Sequence, residues 1–322
     1  MNISVLGCGR WGSFIAWYLN KIGHNVTLWG RESSDKLKEL SFLRKNSFLE
    51  INKDILVTSN LAVALESSST IVISISAQSL RTFLENLNLQ FQKEIKNKTF
   101  ILCMKGIEEN TGKRLSQIVK ECLGESTNVA VWIGPGHVQD FVRGIPNCMV
   151  IDSENKTLKM DLVNSLSSNL IRFYFGTDLI GNEIGAAAKN VMGIAAGVLD
   201  GMHLSSLKGA LMSRGTREVS RLIKALGGNE LSAYGLAHLG DYEATLFSPY
   251  SNNRLFGESL VTNSPYTKLA EGVATSKALL TLGKKFSVDL PISQAVNDII
   301  TKKTDPETCI SNLFLRSLKP EF

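Results

Sequence analysis

Residues 2–22, NISVLGCGRWGSFIAWYLNKI, decide the fold. Ile3, Val5 and Leu6 form an apolar, β-prone run too short for a helix, which reads as a buried strand. The run breaks at Gly7-Cys8-Gly9-Arg10-Trp11-Gly12, and a helical rhythm of Phe14, Ile15, Trp17, Tyr18 and Ile22 follows at once. G-x-G-x-x-G between a strand and a helix is the context in which this glycine pattern signals a dinucleotide site. Gly7 makes the tight turn, Gly9 lets a pyrophosphate approach the backbone, and Gly12 lets the helix pack on the strand. The phosphate charge would rest on unpaired N–H groups at the positive end of the helix dipole. An ordinary glycine turn is the competing reading, and the strand and helix on either side weigh against it.

Downstream, Gly23-His24-Asn25 turns into a second strand over 26–29, which ends in Gly30-Arg31-Glu32. Here an acidic residue accepts from the ribose hydroxyls of NAD, whereas a basic one accommodates the extra phosphate of NADP. The signal is mixed, and Arg31, coming first, tips the expectation toward NADPH. Residues 33–54 are polar and poorly patterned. The rhythm then resumes, with strands expected over 56–58, 70–75, 99–103 and 129–133. Helices are expected after Asn60, over 79–91 and after Thr111-Gly112. Continuous apolar strands alternating with helices mean a parallel sheet covered on both faces. Ligands bind at the carboxyl ends of such strands, which makes 76–78, 104–108 and 134–137 site candidates by position. Two further strands, 149–151 and 171–175, enclose a helix over 156–166. Past Gly176 the chain reads as helices only, over 178–200, 206–226, 265–283, 291–302 and 307–317. The expected fold is therefore α/β: a doubly wound, mostly parallel Rossmann-type sheet over 1–177, then an all-helical substrate-binding and catalytic domain over 178–322.

The chain's 322 residues suit two domains, and its 43% hydrophobic and 20% charged content suits a soluble globular protein. A net charge of +5 without a Lys/Arg block argues weakly for an anionic ligand and against nucleic acid. The cysteines (Cys8, Cys103, Cys122, Cys148, Cys309) form no CxxC pair, so they read as reduced cytoplasmic thiols and no metal site is expected. No signal peptide is expected ahead of a strand that begins at residue 3. The most apolar long window, 180–199, carries Glu183, Lys189 and Asn190, which fits a buried helix and not a membrane span.

That helix is the second unusual feature. Gly185, Ala186, Ala187, Ala188, Gly193, Ala195, Ala196 and Gly197 make it thin, so something can approach its backbone closely. Lys189 sits among them with Asn190 beside it. A lysine desolvated there would serve as an acid/base near neutral pH. The spacing is equally compatible with a lysine snorkelling out of an apolar helix. Lys105 stands at a strand's carboxyl end. Gly240-Asp241 and Ser248-Pro249-Tyr250-Ser251-Asn252-Asn253-Arg254 form polar turns, the latter able to hold an anion through its Arg. Read singly, Lys105 fits a surface charge, and these turns fit interhelical loops. His137, His203 and His238 are rival catalytic residues, none in a recognisable His–carboxylate pairing.

Taken together, these residues resemble the bacterial-type NAD(P)-dependent sn-glycerol-3-phosphate dehydrogenase family, almost from end to end. The opening is similar to its V-x-G-x-G-x-x-G, and Gly23-His24 through Trp29-Gly30 to its G-H-x-V-x-L-W. Lys105-Gly106-Ile107-Glu108 resembles T-K-G-[LI]-E, and Gly134-Pro135 matches S-G-P. Glu183, Ala187, Lys189 and Asn190 fall in a segment like the family's helix ending in K-N-V, followed by G-x-x-D-G at 197–201. Arg214-Gly215 resembles T-R-G, and Leu239-Gly240-Asp241 resembles G-L-G-D. Asn253-Arg254-Leu255-Phe256-Gly257, Glu271-Gly272 and Leu290-Pro291-Ile292 match later motifs.

The resemblance implies hydride transfer between NAD(P)H and dihydroxyacetone phosphate, giving sn-glycerol 3-phosphate for phospholipid synthesis. It makes Lys189 the proton donor or acceptor at the substrate oxygen, Lys105 a holding charge, and Asp241 the residue that orients the site. Expected cofactor contacts are Gly7, Gly9, Arg10, Trp11, Gly12, Arg31, Lys105, Val138 and Glu271, with NADP or NAD as cofactor. Expected substrate contacts are Lys105, Gly134, Gly136, Lys189, Asn190, Asp241, Ser251, Asn252, Asn253 and Arg254. A phosphorylated small molecule is the expected partner and a cytoplasmic homodimer the expected assembly. Two positions depart from the pattern. The family's S-G-P is followed by a hydroxyl residue or Cys where this chain has Gly136, and its S-R-N-R reads Ser251-Asn252-Asn253-Arg254 here. Either phosphate is held by Lys105, Asn253 and Arg254, or the chain is a related reductase of another small carbonyl or hydroxy acid. A non-catalytic nucleotide sensor is the third reading, and both lysines and Asp241 disfavour it.

Overall fold

The apolar runs become strands in the computed structural model, which describes residues 1–318, 320 and 321. The strands are β1 (Asn2–Leu6), β2 (Asn25–Trp29), β3 (Leu56–Thr58), β4 (Thr70–Ile73), β5 (Thr99–Leu102), β6 (Asn128–Ile133), β7 (Asn147–Asp152) and β8 (Ile171–Phe175). They form one sheet in the order β3-β2-β1-β4-β5-β6-β7-β8. Strands β1 to β6 run parallel, while β7 is antiparallel to β6 and parallel to β8. The order reverses between β1 and β4, the switch point outside which doubly wound sheets bind ligands.

The helices that accompany the sheet are α1 (Arg10–Lys21), α2 (Asp35–Leu43), α3 (Leu61–Glu66), α4 (Leu80–Ile95), α5 (Leu115–Leu123), α6 (Val138–Val142) and α7 (Lys156–Leu166). Helix α1 carries its apolar stripe inward. Phe14 stacks on Phe141 at 5.0 Å, Tyr18 meets the edge of Trp132 at 5.9 Å, and the Tyr18 hydroxyl donates to the Leu166 carbonyl at 2.6 Å. A polar atom that deep needs such a partner. Helix α3 starts as its sequence indicates, with the Asn60 side chain accepting from the Ala62 and Val63 amides.

The remaining helices are α8 (Leu179–Gly201), α9 (Lys208–Ala225), α10 (Asn252–Thr262), α11 (Gly272–Lys285), α12 (Pro291–Ile300) and α13 (Pro306–Phe314). The chain divides into two compact units, one of Met1–Lys105 and Lys113–Leu179, the other of Gly106–Gly112 and everything from Ile180 onward. The excursion at 106–112 is anchored by Ile107, which is fully buried in the core of the second unit.

Helix α8 is the axis of that core. Ile184, Ala187, Val191, Met192 and Ile194 are all fully buried, each large one worth about 1.5–3 kcal/mol. Its small residues admit another backbone, that of α10. A Cβ on Gly197 would lie 1.9 Å from the Arg254 carbonyl oxygen, and one on Gly257 would lie 2.0 Å from that of Ile194. No helix among the described residues is long and apolar enough to cross a membrane.

Several elements differ from the sequence reading. Helix α2 lies inside the stretch expected to be unpatterned, buried through Leu37 and Leu40 alone. Helix α10 occupies residues expected as a loop. Its buried face is Asn253 and Gly257, so no apolar periodicity announces it. The helix expected over 265–283 begins only at Gly272. The stretch before it holds Pro265, which lacks the N–H an interior helical turn requires.

Candidate active site

In the first unit, the glycine turn joins β1 to α1 at the switch point. Gly7 has φ +122°, and a Cβ there would meet the Ser74 carbonyl oxygen at 2.1 Å. A Cβ on Gly12 would lie 1.7 Å from the Gly7 oxygen, so this glycine sets how closely helix and strand pack. Gly9 differs. It is the N-cap of α1, with φ −72° and no side-chain cap, and a Cβ there would find nothing within 4 Å. The fold therefore does not use the space in front of Gly9, where the amides of the first helical turn, which have no partner within the helix, can meet an anion. These residues fit a dinucleotide pyrophosphate.

Two cations attend the turn. Arg10 donates to the Gln139 side chain at 2.5 Å and lies 5.2 Å over the Phe48 ring. Lys105, just past β5, donates to the Gly134 carbonyl at 2.7 Å, and its ammonium is 5.8 Å from the Trp11 ring. The structure thus gathers Trp11, Lys105 and Gly134 at one end of the sheet. Gly136 has φ +143°, and Val138 is fully buried in the core of this unit, packed away from solvent rather than presented to a ligand. Arg31 and Glu32 are both exposed at the end of β2.

In the second unit, Lys189 lies in the middle of α8 and is 8% exposed. Its ammonium is 2.8 Å from Asp241 Oδ2 and donates to Thr245 Oγ1 at 2.7 Å. The Thr245 hydroxyl donates in turn to the Asp241 carbonyl at 2.7 Å. Asp241 is itself buried, in a short 3₁₀ turn at Leu239–Asp241, and Thr245 follows in a π-helical turn at Glu243–Phe247. The lysine is therefore aimed, not snorkelling. A buried ion pair is a weak device for stability, so its retention fits a functional use. The sequence reading missed Thr245. Its spacing of four from Asp241 would have flagged it had the segment been read as helical.

Asn190 is tied to its neighbours through Asn253, which donates to the Asn190 side chain at 3.0 Å and accepts from the Gly272 amide at 2.9 Å. Asn253 thus fixes the start of α11, next to Glu271, the N-cap residue. Ser251 caps α10 by accepting from the Arg254 amide at 3.3 Å, and the Asn252 carbonyl accepts from Tyr266 at 2.8 Å. Arg254, the cation expected to replace the missing one, is engaged elsewhere. Its guanidinium pairs with Asp200 at 2.8 Å and Glu258 at 3.1 Å, and donates to the Ser248 carbonyl at 3.0 Å. Burial opposes ionisation of Asp200, but hydrogen bonds from Lys208, Ser205 and Arg254 outweigh it and hold the carboxyl below its usual range.

Of the rival histidines, His203 is exposed. His238 is fully buried, and desolvation pushes it down to about 4, against backbone and carboxylate contacts that favour its charge. It stays neutral at physiological pH.

Family models described as NAD-dependent glycerol-3-phosphate dehydrogenase N-terminus and C-terminus match residues 2–159 and 178–311. A curated glycerol-3-phosphate dehydrogenase, NAD(P)+, of Fusobacterium nucleatum subsp. nucleatum is 34% identical over 336 residues, covering 100% of this chain and 98% of its own length. The protein of the same name from Clostridium botulinum (strain Alaska E43 / Type E3) is 34% identical over 333 residues, covering 99% of both. Among solved structures, the crystal structure of glycerol-3-phosphate dehydrogenase from Coxiella burnetii superposes with a TM-score of 0.89 at 26% identity, over 98% of each chain.

Proposed function

Since this chain belongs to the NAD-dependent glycerol-3-phosphate dehydrogenase family, we propose that it reduces dihydroxyacetone phosphate to sn-glycerol 3-phosphate with NAD(P)H. The observation that carries the reading is the buried Lys189–Asp241–Thr245 constellation, in a chain related to these dehydrogenases along its whole length.

The amides of the α1 turn, behind Gly9, would hold the cofactor pyrophosphate, with Arg10 and Lys105 as nearby cations. Bound nicotinamide supplies the hydride. As the substrate carbon accepts it, the carbonyl π bond breaks and the oxygen becomes an alkoxide, which takes a proton from the Lys189 ammonium. Asp241 and Thr245 fix the direction of that ammonium. Asn190, pinned by Asn253, stands next in the helix and serves the same substrate. In the oxidising direction Lys189 takes the proton back.

The exposed Arg31 supports NADPH as the preferred cofactor. The absence of a membrane-crossing helix among the described residues and the five free cysteines support a cytoplasmic setting. The exposed apolar residues Phe314, Leu315 and Leu318 support a homodimer. The mild, dispersed charge supports a small phosphorylated partner and no nucleic acid.

A second reading, a related reductase of an unphosphorylated carbonyl, draws on Asn252 in place of the expected Arg and on the engagement of Arg254 by two carboxylates. NADPH and NADH oxidation with dihydroxyacetone phosphate, beside a panel of unphosphorylated carbonyls, tests both. Preference for the phosphorylated ketone supports the first reading. Indifference to phosphate transfers the case to the second, and cofactor binding without turnover on any substrate would favour the sensor.

A further inference from the structure

His238 is completely buried, in a place where both Asp241 and Lys189 act on it electrostatically. Its Nδ1 lies 2.8 Å from the Gly185 carbonyl oxygen and its Nε2 lies 2.7 Å from the Tyr242 hydroxyl. A carbonyl can only accept, so Nδ1 carries the proton and Nε2 accepts from the tyrosine. Gly185 precedes Lys189 by one turn of α8, so His238 binds the same carbonyl that the Lys189 amide reaches within the helix.

Both ends of this bridge land on glycines. A Cβ on Gly185 would sit 3.0 Å from the His238 Cβ, and one on Gly215 of α9 would sit 3.4 Å from the Tyr242 hydroxyl. The bare backbone lets the imidazole reach the α8 carbonyl and lets the phenol lie against α9. The two rings meet edge to face, 4.8 Å apart at 70°. His238 and Tyr242 flank Asp241 in sequence, so the bridge spans α8 to α9 through the turn that presents the carboxylate. The G-L-G-D pattern this segment resembles has glycine where His238 stands, so the bridge is a feature of this chain and not of the motif. The titratable groups facing His238 are Asp241 and Tyr242 from its own segment and Lys189 from α8, with Glu218 of α9 acting on Tyr242.

We propose that His238 is a positioning residue: with Tyr242 it pins the turn bearing Asp241 to the helical turn bearing Lys189, and so sets the direction of the ammonium. The role in turnover rests on the reading of Lys189 as the acid. The geometric role does not.

His238→Leu occupies the volume but neither donates to Gly185 nor accepts from Tyr242. His238→Asn retains a donor near the place of Nδ1, and Tyr242→Phe removes one hydroxyl. His238→Leu should lower kcat by about tenfold or more while the NADPH Kd stays within about twofold, and His238→Asn should recover much of the loss. A second readout needs no substrate: acetylation of Lys189 by acetic anhydride, followed by mass spectrometry across pH. With Asp241 no longer set against the ammonium, the labelling midpoint should move to lower pH by about 0.5 unit or more in His238→Leu, and by less in Tyr242→Phe. A folded His238→Leu protein with a native labelling profile overturns the proposal, whatever its kcat. Should that variant not fold, Tyr242→Phe takes its place in both measurements, and a native labelling profile there overturns the proposal equally. A wild-type enzyme without turnover on dihydroxyacetone phosphate would remove the proposed function, while the labelling profile would still decide the positioning claim.

Discussion

Gly9→Val and Gly12→Ala should separate cofactor binding from folding, although the two glycines stand in one motif. A Cβ at Gly9 meets no atom within 4 Å, and its φ of −72° suits any residue. The valine should therefore cost only about 1 kcal/mol of stability, the loss of a favourable N-cap residue rather than of packing. Its side chain does fill the approach to the α1 amides. Losing two hydrogen bonds to charged phosphate oxygens, each about 1.5–3 kcal/mol, weakens cofactor binding by about 3–6 kcal/mol. That is a loss of roughly 10²- to 10⁴-fold in affinity. At Gly12 the added Cβ falls 1.7 Å from the Gly7 oxygen and 2.8 Å from its carbonyl carbon, so α1 must shift against β1. Such overpacking costs about 1–3 kcal/mol or more. At about 2–4 °C per kcal/mol, a cost near the upper value lowers Tm by roughly 6–12 °C. Titration calorimetry with NADPH reads the first effect and scanning calorimetry the second. Native affinity in Gly9→Val, or an unchanged Tm in Gly12→Ala, would refute the assignment of these roles.

Other outcomes follow from the same geometry. Arg31→Ala should weaken NADPH more than NADH, and equal losses in a binding titration would mean that Arg31 does not meet the extra phosphate. Arg254→Ala removes a cation from Asp200 and Glu258, so it should cost about 1.5–3 kcal/mol of stability while leaving the KM for dihydroxyacetone phosphate within about twofold. A large KM rise confined to phosphorylated substrate would return Arg254 to the phosphate. Burial holds His238 at about 4 in the folded chain. The unfolded histidine titrates near 6.5, so the unfolded chain binds more protons between the two values. Stability should be complete above pH about 6.5 and fall as pH drops toward 4, and denaturant titrations of His238→Asn should show that slope flattened.

The strands were legible because a sheet buried on both faces needs continuous apolar runs, and helices such as α7 because caps and periodicity agree. Helix α10 was not, because its buried face is an asparagine and a glycine fitted to α8. The thinness of α8 was visible, but not that the approaching body is another helix of the same chain. Lys189 stood out as a charge among small residues, whereas Asp241 gained weight only through the family resemblance. The His238–Tyr242 bridge left no pattern, and Thr245 left only a spacing of four from Asp241 that signifies once the segment is known to be helical. Their roles come from turns whose geometry is set by contacts far away in sequence. The departure at Asn252 was legible, yet its consequence was not. Sequence offered Arg254 as the replacement cation, and only the fold shows Asp200 and Glu258 holding it.

The central claim is that Lys189 donates the proton, and single-turnover reduction of dihydroxyacetone phosphate by Lys189→Met enzyme loaded with NADPH tests it most directly. The variant should bind NADPH with native affinity, since that site is built on the α1 turn. Its rate of NADPH oxidation should fall by about 10²- to 10⁴-fold, the usual worth of a positioned acid. A Lys189→Met enzyme that binds the cofactor and turns over at the native rate would contradict the account.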